Sequence, residues 1–305
     1  MLWPVTHKPQ MEIICGQSDL NNAIQLVNKA VASRPTHPIL ANILLTADQV
    51  TNKISLTGYD TNLGIQTSFD ASVNKSGAIT IPSKLFSEIV NKLPSESPIS
   101  LEIKDSSEDI LLKSDKGSFK LKGIIAEDYP PLPMVEKGTS FTTDPSSFLK
   151  CLRLTILSSG SNEANEILNG VNFTFKKGDI ESASTNGHKL AVASINTQEK
   201  INNFDLHSEN NSDYENLSIN IPTKSLREIE KLLSLKSNEE SLKIFYDKGQ
   251  VVFILNNQII TSRTLEGKFP PYRALLPNNF YKVFKFDRVS LINALERISV
   301  FKTAE

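Results

Sequence analysis

Ile81-Pro82-Ser83-Lys84-Leu85-Phe86-Ser87-Glu88-Ile89-Val90-Asn91-Lys92-Leu93 is written a second time as Ile221-Pro222-Thr223-Lys224-Ser225-Leu226-Arg227-Glu228-Ile229-Glu230-Lys231-Leu232-Leu233, with Pro222 standing 140 positions after Pro82. Each copy reads as a strand ending at Ile, Pro at the first helical position, and a short helix with apolar residues at i, i+3, i+4 and i+7. An internal repeat of this kind sets the architecture before any single motif does.

Working outward, Tyr129-Pro130-Pro131 is answered at the same spacing by Phe269-Pro270-Pro271. Pro-Pro continues neither a helix nor a strand, so each copy closes a unit. Unit openings occur three times: Met11-Glu12-Ile13 before Ser18, Ser140-Phe141-Thr142 before Ser147, and Val283-Phe284-Lys285 before Ser290. The chain therefore divides into a leader (1–10), two full domains (11–136 and 137–279) and the start of a third (280–305) that lacks about 100 residues if repeats keep similar length.

Thr57-Gly58-Tyr59-Asp60 is echoed by Ser184-Thr185-Asn186, now only 126 positions apart, and the slip is absorbed by residues 198–218, which read as a polar surface loop. Within the first domain the pattern predicts helices over 18–33 and 82–93 and strands over 40–47, 53–57, 63–71, 77–81, 99–104, 109–114 and 118–122. The second domain has helices over 144–159 and 222–235. The third has a strand over 282–286 and a helix over 287–300. Short strands with one helix per half-unit make an α+β fold, antiparallel sheets with one face covered by two helices.

Composition is that of an ordinary globular chain: 305 residues, 39% hydrophobic, 22% charged, net charge −1. Cys15 and Cys151 fall in different units, which points to no disulfide and a reducing compartment. No apolar run suits a membrane span or a signal-peptide core, so the expected location is cytoplasmic.

Catalytic chemistry is hard to assemble. His7, His37, His188 and His207 have no metal-ligand spacing, no Gly-x-Ser-x-Gly elbow is present, and no glycine-rich loop opens a helix. Glu127-Asp128 before Pro-Pro is a solvated turn pair or a carboxylate dyad; Ser159 and Ser161 with His188 are surface residues or a nucleophile and base. No metal, cofactor or catalytic residue is expected.

Charge is unevenly placed. Residues 18–34, 84–94, 146–160 and 224–236, the helices of the first two domains, carry Lys29, Arg34, Lys84, Lys92, Lys150, Arg153, Lys224, Arg227, Lys231 and Lys236 against four acids, a net of +6, leaving −7 for the rest of the chain. Such helices are either ordinary surface helices or a cationic face for a polyanion, held through phosphates without reading bases.

Five motifs in order, Arg34-Pro35-Thr36-His37-Pro38-Ile39-Leu40, Leu56-Thr57-Gly58-Tyr59-Asp60, Leu168-Asn169-Gly170, Thr185-Asn186-Gly187-His188-Lys189-Leu190-Ala191 and Gly267-Lys268-Phe269-Pro270-Pro271-Tyr272-Arg273, resemble the bacterial sliding clamp family, the beta subunit of DNA polymerase III. The resemblance runs from Met11 to about Val300. It implies the DNA clamp fold, a non-catalytic processivity factor for DNA replication, and a homodimeric ring around duplex DNA lined by helices. Its DNA-facing residues would be Arg34 and Lys84, joined by Lys29, Lys92, Lys150, Arg153, Lys224 and Arg227 from the charge pattern.

It further implies a pocket for short linear peptides of the polymerase III catalytic subunit, the clamp loader and repair polymerases, walled by Leu168, Thr185, Gly187, His188, Lys189, Leu190, Pro270 and Leu275. Ring contacts would use Phe119 and Leu121 on an edge strand and Val300 and Phe301 in the third domain. The chain departs from the family pattern at Asn186, where Asp is common, and at Glu166-Ile167, where aromatic residues often contact single-stranded template. It also ends early, at Glu305. The alternative function is a β-rich peptide-binding scaffold that closes no ring; a third is an unrecognised hydrolase.

Overall fold

The computed structural model describes residues 10–103, 108–160, 164–176, 179–196, 202–205, 216–234, 241–277 and 279–301. The chain falls into two compact units, Met1–Phe269 and Pro270–Glu305.

The first half of the larger unit contains β1 (Met11–Gly16), α1 (Gln17–Val27), β2 (Asn42–Asp48), β3 (Lys53–Tyr59), β4 (Leu63–Asp70), β5 (Ser72–Lys75), β6 (Gly77–Pro82), α2 (Ser83–Lys92), β7 (Pro98–Ile103), β8 (Asp109–Ser114), β9 (Gly117–Lys122) and β10 (Ile124–Ile125). The second half contains β11 (Lys137–Thr143), α3 (Pro145–Thr155), β12 (Gly170–Lys176), β13 (Asp179–Thr185), β14 (Leu190–Asn196), β15 (Asn202–Asp205), β16 (Asn216–Pro222), α4 (Thr223–Ser234), β17 (Leu242–Asp247), β18 (Gln250–Leu255) and β19 (Gln258–Arg263).

Half-units do not build separate sheets. β1 leaves its own half-unit to pair with β7, and β6 returns to pair with β2. The second half repeats the exchange, β11 pairing with β17 and β16 with β12. Three antiparallel sheets result, ordered β5-β1-β7-β8-β9, β14-β13-β12-β16, and a ten-stranded β10-β6-β2-β3-β4-β19-β18-β17-β11-β15. The long sheet crosses from the first half to the second through β4 and β19, with Ile65 opposite Ile260.

Two helices belong to each half, so the chain is α+β as its repeats predict. They run antiparallel, because Gln17 at the start of α1 donates to Val90 O near the end of α2 (2.7 Å) and Ser83 at the start of α2 donates to Asn28 just past α1 (2.7 Å). The buried positions of α1, Leu20, Ala23, Ile24 and Val27, and of α2, Phe86 and Val90, meet the strands in one core. In the second half Phe148 of α3 stacks on Phe173 of β12 at 5.5 Å and meets Phe253 of β18 at 6.1 Å, binding helix and both sheets together.

Several boundaries differ from the sequence reading. Pro82 and Pro222 are the last ladder residues of β6 and β16, opposite Asn42 and Gly170, and the helices begin one residue later. Pro tolerates a strand end because the missing N–H removes no inner rung. Helix α1 gives way to a 3-10 turn over Asn28–Ala30 and does not reach residue 33, since Ala32 N–H turns away to Leu40 O (3.4 Å). The supposed polar loop contains β15 and the start of β16; residues 197–201 and 206–215 lie outside the described residues, as do residues 1–9 of the leader and Lys236.

In the smaller unit a 3-10 turn over Tyr272–Leu275 precedes α5 (Arg288–Ser299), whose N-cap Asp287 accepts from Ser290 N at 2.9 Å. Residues 282–286 form no strand, correcting the expectation: apolar alternation makes a ladder only where a partner strand supplies hydrogen bonds, and none does among the described residues.

Candidate functional site

The eight cations expected to face a polyanion are all exposed, on or beside the two helix pairs. Antiparallel packing gathers Lys29 and Lys84 at one end of the first pair, each next in sequence to a member of the Asn28–Ser83 hydrogen bond. The second pair repeats the joint, Thr223 donating to Ser159 at 2.9 Å with Lys224 next in line. Arg34 lies in a bend before Pro35, beyond the helix it was expected to end.

These cations differ in their partners. Lys224 Nζ lies 2.7 Å from Asp60 Oδ2, reaching from α4 to the β3–β4 turn across the joint of the long sheet. Arg153 pairs with Glu230 at 3.5 Å and donates to Ser234 at 2.9 Å, joining α3 to α4. Lys29, Arg34, Lys84, Lys92, Lys150 and Arg227 have no ion-pair partner among the described residues, which leaves their ammonium and guanidinium groups available to phosphate.

The Thr185 to Leu190 segment is a tight turn between β13 and β14. Asn186 Oδ1 accepts from His188 N and Lys189 N, both at 3.1 Å, as Asp60 Oδ1 accepts from Asn62 N (3.0 Å) and Leu63 N (2.7 Å). Asn replaces Asp here without loss of the cap, because only the acceptor oxygen is used. Gly187 has φ +87°, the left-handed region that a side chain disfavours, and space around it is open. Leu168 sits on a 3-10 turn over Glu166–Asn169, half-buried like Thr185 and Leu190, while His188 and Lys189 are exposed. In the smaller unit Pro270 is half-buried and Leu275 exposed.

Gly58 in the other shared motif answers a packing demand: a Cβ there would overlap the carbonyl oxygen of Val27 at the end of α1. Beside it, burial raises the hydroxyl pKa of Tyr59 and, more strongly, of Tyr129, whose hydroxyl donates to Thr57 O at 3.4 Å.

β9 is an edge strand of the five-stranded sheet, with Phe119 half-buried upon it. Leu121 is 2% exposed and belongs to the core, so it offers no side chain to a partner; the alternation of β9 turns it inward. Val300 and Phe301 are exposed. Ser159 bonds to Ile156 O and Thr223 rather than to a base, Ser161 lies outside the described residues, and Glu127 and Asp128 are solvated in a 3-10 turn. His7 and His207 also lie outside the described residues.

Residues 11–133 match the N-terminal domain, and residues 142–271 the central domain, of the DNA polymerase III beta subunit. The beta sliding clamp of Synechococcus elongatus is 37% identical over 290 residues, spanning 95% of this chain and 74% of the relative. The chain belongs to the beta sliding clamp family. The Synechocystis clamp agrees at 38% over 296 residues, 95% of this chain and 75% of its own. The crystal structure of the Bacillus subtilis sliding clamp superposes with TM-score 0.81 at 26% identity, covering 96% of this chain and 75% of that one.

The function is therefore that of a sliding clamp, a non-catalytic processivity factor in DNA replication. Two features of this clamp escaped sequence reasoning. The Lys224–Asp60 ion pair joins residues 164 apart, and Leu132 lies over Gly64, where a Cβ would overlap Leu132 Cδ1. The absent side chain at Gly64 was the available signal for the second.

Proposed function

We propose that this clamp subunit encircles duplex DNA with its helix pairs inward and tethers the replicative polymerase, the clamp loader and repair polymerases through the Thr185 to Leu190 turn. The observation that carries the reading is the set of exposed cations Lys29, Arg34, Lys84, Lys92, Lys150 and Arg227, on or beside paired helices and without an ion-pair partner among the described residues. Point charges without fixed partners bind phosphate at any register, which suits sliding.

Domains at 11–136 and 137–279, with a third opening at 280, would alternate around the ring. The free edge of β9, with Phe119, would meet the region of Val300 and Phe301 of a second copy. The work would take place in the cytoplasm. At the peptide pocket, burial of about 200 Å² of apolar surface gives ~5 kcal/mol before ordering costs, an exchangeable affinity.

The test is retention on closed circular DNA at high salt, followed by release when the circle is cut. Smooth loss of protein from both forms as salt rises would exclude encirclement. Leu190→Asp should abolish capture of the polymerase III catalytic subunit while leaving a cooperative thermal melt; undiminished capture would remove the pocket.

A further inference from the structure

Four segments of the first half meet around one open groove of about 580 Å³: the end of β1 (Ile14 to Gly16), the β2–β3 turn at Thr51 and Asn52, the corner between β4 and β5, and the approach to β7. The groove uses none of the residues assigned above to DNA, to the partner turn or to ring contacts.

Its floor is a strand edge. The ladder between β1 and β5 stops at Ile14 opposite Ser72, whereas the ladder between β1 and β7 goes on through Cys15 opposite Ile99 to Gly16 opposite Pro98. β1 therefore runs two residues beyond its β5 neighbour. Successive residues of a strand direct their N–H and C=O to alternate sides, so one of these two presents both groups to the side that β5 has left. No strand among the described residues pairs there. Ile14 is 42% exposed although its strand is flanked on both sides. The far rim is held in place: Asn52 O accepts from Ala71 N at 2.9 Å and Asn52 Oδ1 from Val73 N at 3.5 Å, fixing the β4–β5 corner on the β2–β3 turn.

Charge selects the occupant. Asp70 and Glu96 line the groove, both exposed and without an ion-pair partner among the described residues. The Asp19 carboxylate stands over Gly16, 3.2 Å from where a Cβ would be. Lys53 is opposite Asp70 in the β3–β4 ladder, yet no ion pair joins them. Carboxylates repel phosphate, which excludes nucleic acid from this surface.

We propose that the groove docks an extended basic segment of a partner protein. The segment adds as a short strand at the end of β1, lays an apolar side chain on Ile14 and directs Lys or Arg at Asp70 and Glu96. Main-chain pairing supplies affinity and the carboxylates supply sequence preference. Few rungs are free, so the hold is weak and exchangeable.

The probe is a fluorescent Gly-Val-Arg-Val-Lys-Val-Gly peptide, titrated into the full chain at about 0.15 M salt and followed by anisotropy. It should bind at least about tenfold more tightly than the same peptide with Glu in place of Arg and Lys. Asp70→Asn/Glu96→Gln should weaken it at least about fivefold, the scale of two exposed ion pairs, and Ile14→Lys should abolish it. Asp115→Asn/Asp128→Asn removes the same charge at exposed positions outside the groove and should leave the affinity unchanged.

Equal weakening by the two carboxylate pairs overturns the proposal, because the peptide then senses only overall charge. Equal affinity for argininamide, which has no strand to add, overturns it too, as does binding that survives Ile14→Lys. Should Ile14→Lys fail to fold, the two carboxylate pairs decide alone. Self-association of the chain in sedimentation that Ile14→Lys dissolves, with no peptide bound, makes the occupant a second copy and refutes the basic segment.

Discussion

Lys84 and Lys224 stand at equivalent positions of the repeat, and their surroundings predict opposite roles. Lys84 is exposed at the start of α2 with no ion-pair partner among the described residues. Lys224 is held 2.7 Å from Asp60, whose side chain is only 12% exposed and also caps its own turn. A free lysine neutralising one phosphate contributes about 0.9 to the slope of log affinity against log salt on duplex DNA. Lys84→Ala should lower the slope by about that amount, with little change in melting. Lys224→Ala should lower it by less than half as much.

The stability effect at Lys224 follows from the geometry. The lysine side chain is 66% exposed, so solvent screens the pair, and about 1 kcal/mol is the upper end for such a contact. In a unit of this size that corresponds to about 2–4 °C of melting temperature. The assay is fluorescence anisotropy on a short linear duplex over a salt series, beside a thermal melt of each variant. Equal slope reductions for both variants, with an unchanged melt for Lys224→Ala, would refute the assignment of Lys224 as a joint between halves.

Further consequences can be checked independently. Burial pushes the Cys15 thiol up to about 12 and raises Cys151 as well, so neither should react with iodoacetamide at pH 8 in the native chain, and both should react in denaturant; mass spectrometry reads the adducts. Phe148→Ala should cost about 3–5 kcal/mol in chemical denaturation, because it empties a fully buried site touching Phe173 and Phe253. The carboxyl of Asp287 is held below its ordinary 3.8 by the Ser290 side-chain and backbone hydrogen bonds. A depressed folded value stabilises above the unfolded one and is lost as pH falls through the folded one. The first turn of α5 should therefore fray below about pH 4 in backbone chemical shifts, and Asp287→Asn should remove that pH dependence.

Helices were the most legible elements, since their apolar spacing survives any tertiary context: the expected 144–159, 222–235 and 287–300 appear as Pro145–Thr155, Thr223–Ser234 and Arg288–Ser299. The misplaced end of α1 traces to a bond outside the helical ladder, where Ala32 turns to Leu40. The strand expected over 282–286 failed for the same reason in reverse, because alternation without a neighbour makes no ladder. At the site, the motifs led to the Asn186 turn and Gly187, whose constraints are local. Leu121 was misread because period-two alternation alone does not say which face of β9 is covered.

The sequence by itself determined the repeat, the strand and helix content, and the family to which the motifs belong, because each is recorded in spacing along the chain. Only the tertiary structure decided that β1 and β6 exchange sheets, that β4 and β19 fuse two halves into one ten-stranded sheet, that Lys224 is spoken for by Asp60, and that Leu132 fills the seat over Gly64. These are choices of neighbour between residues far apart in the chain, and neighbours are selected by whole-core packing and hydrogen-bond completion, which no local pattern encodes.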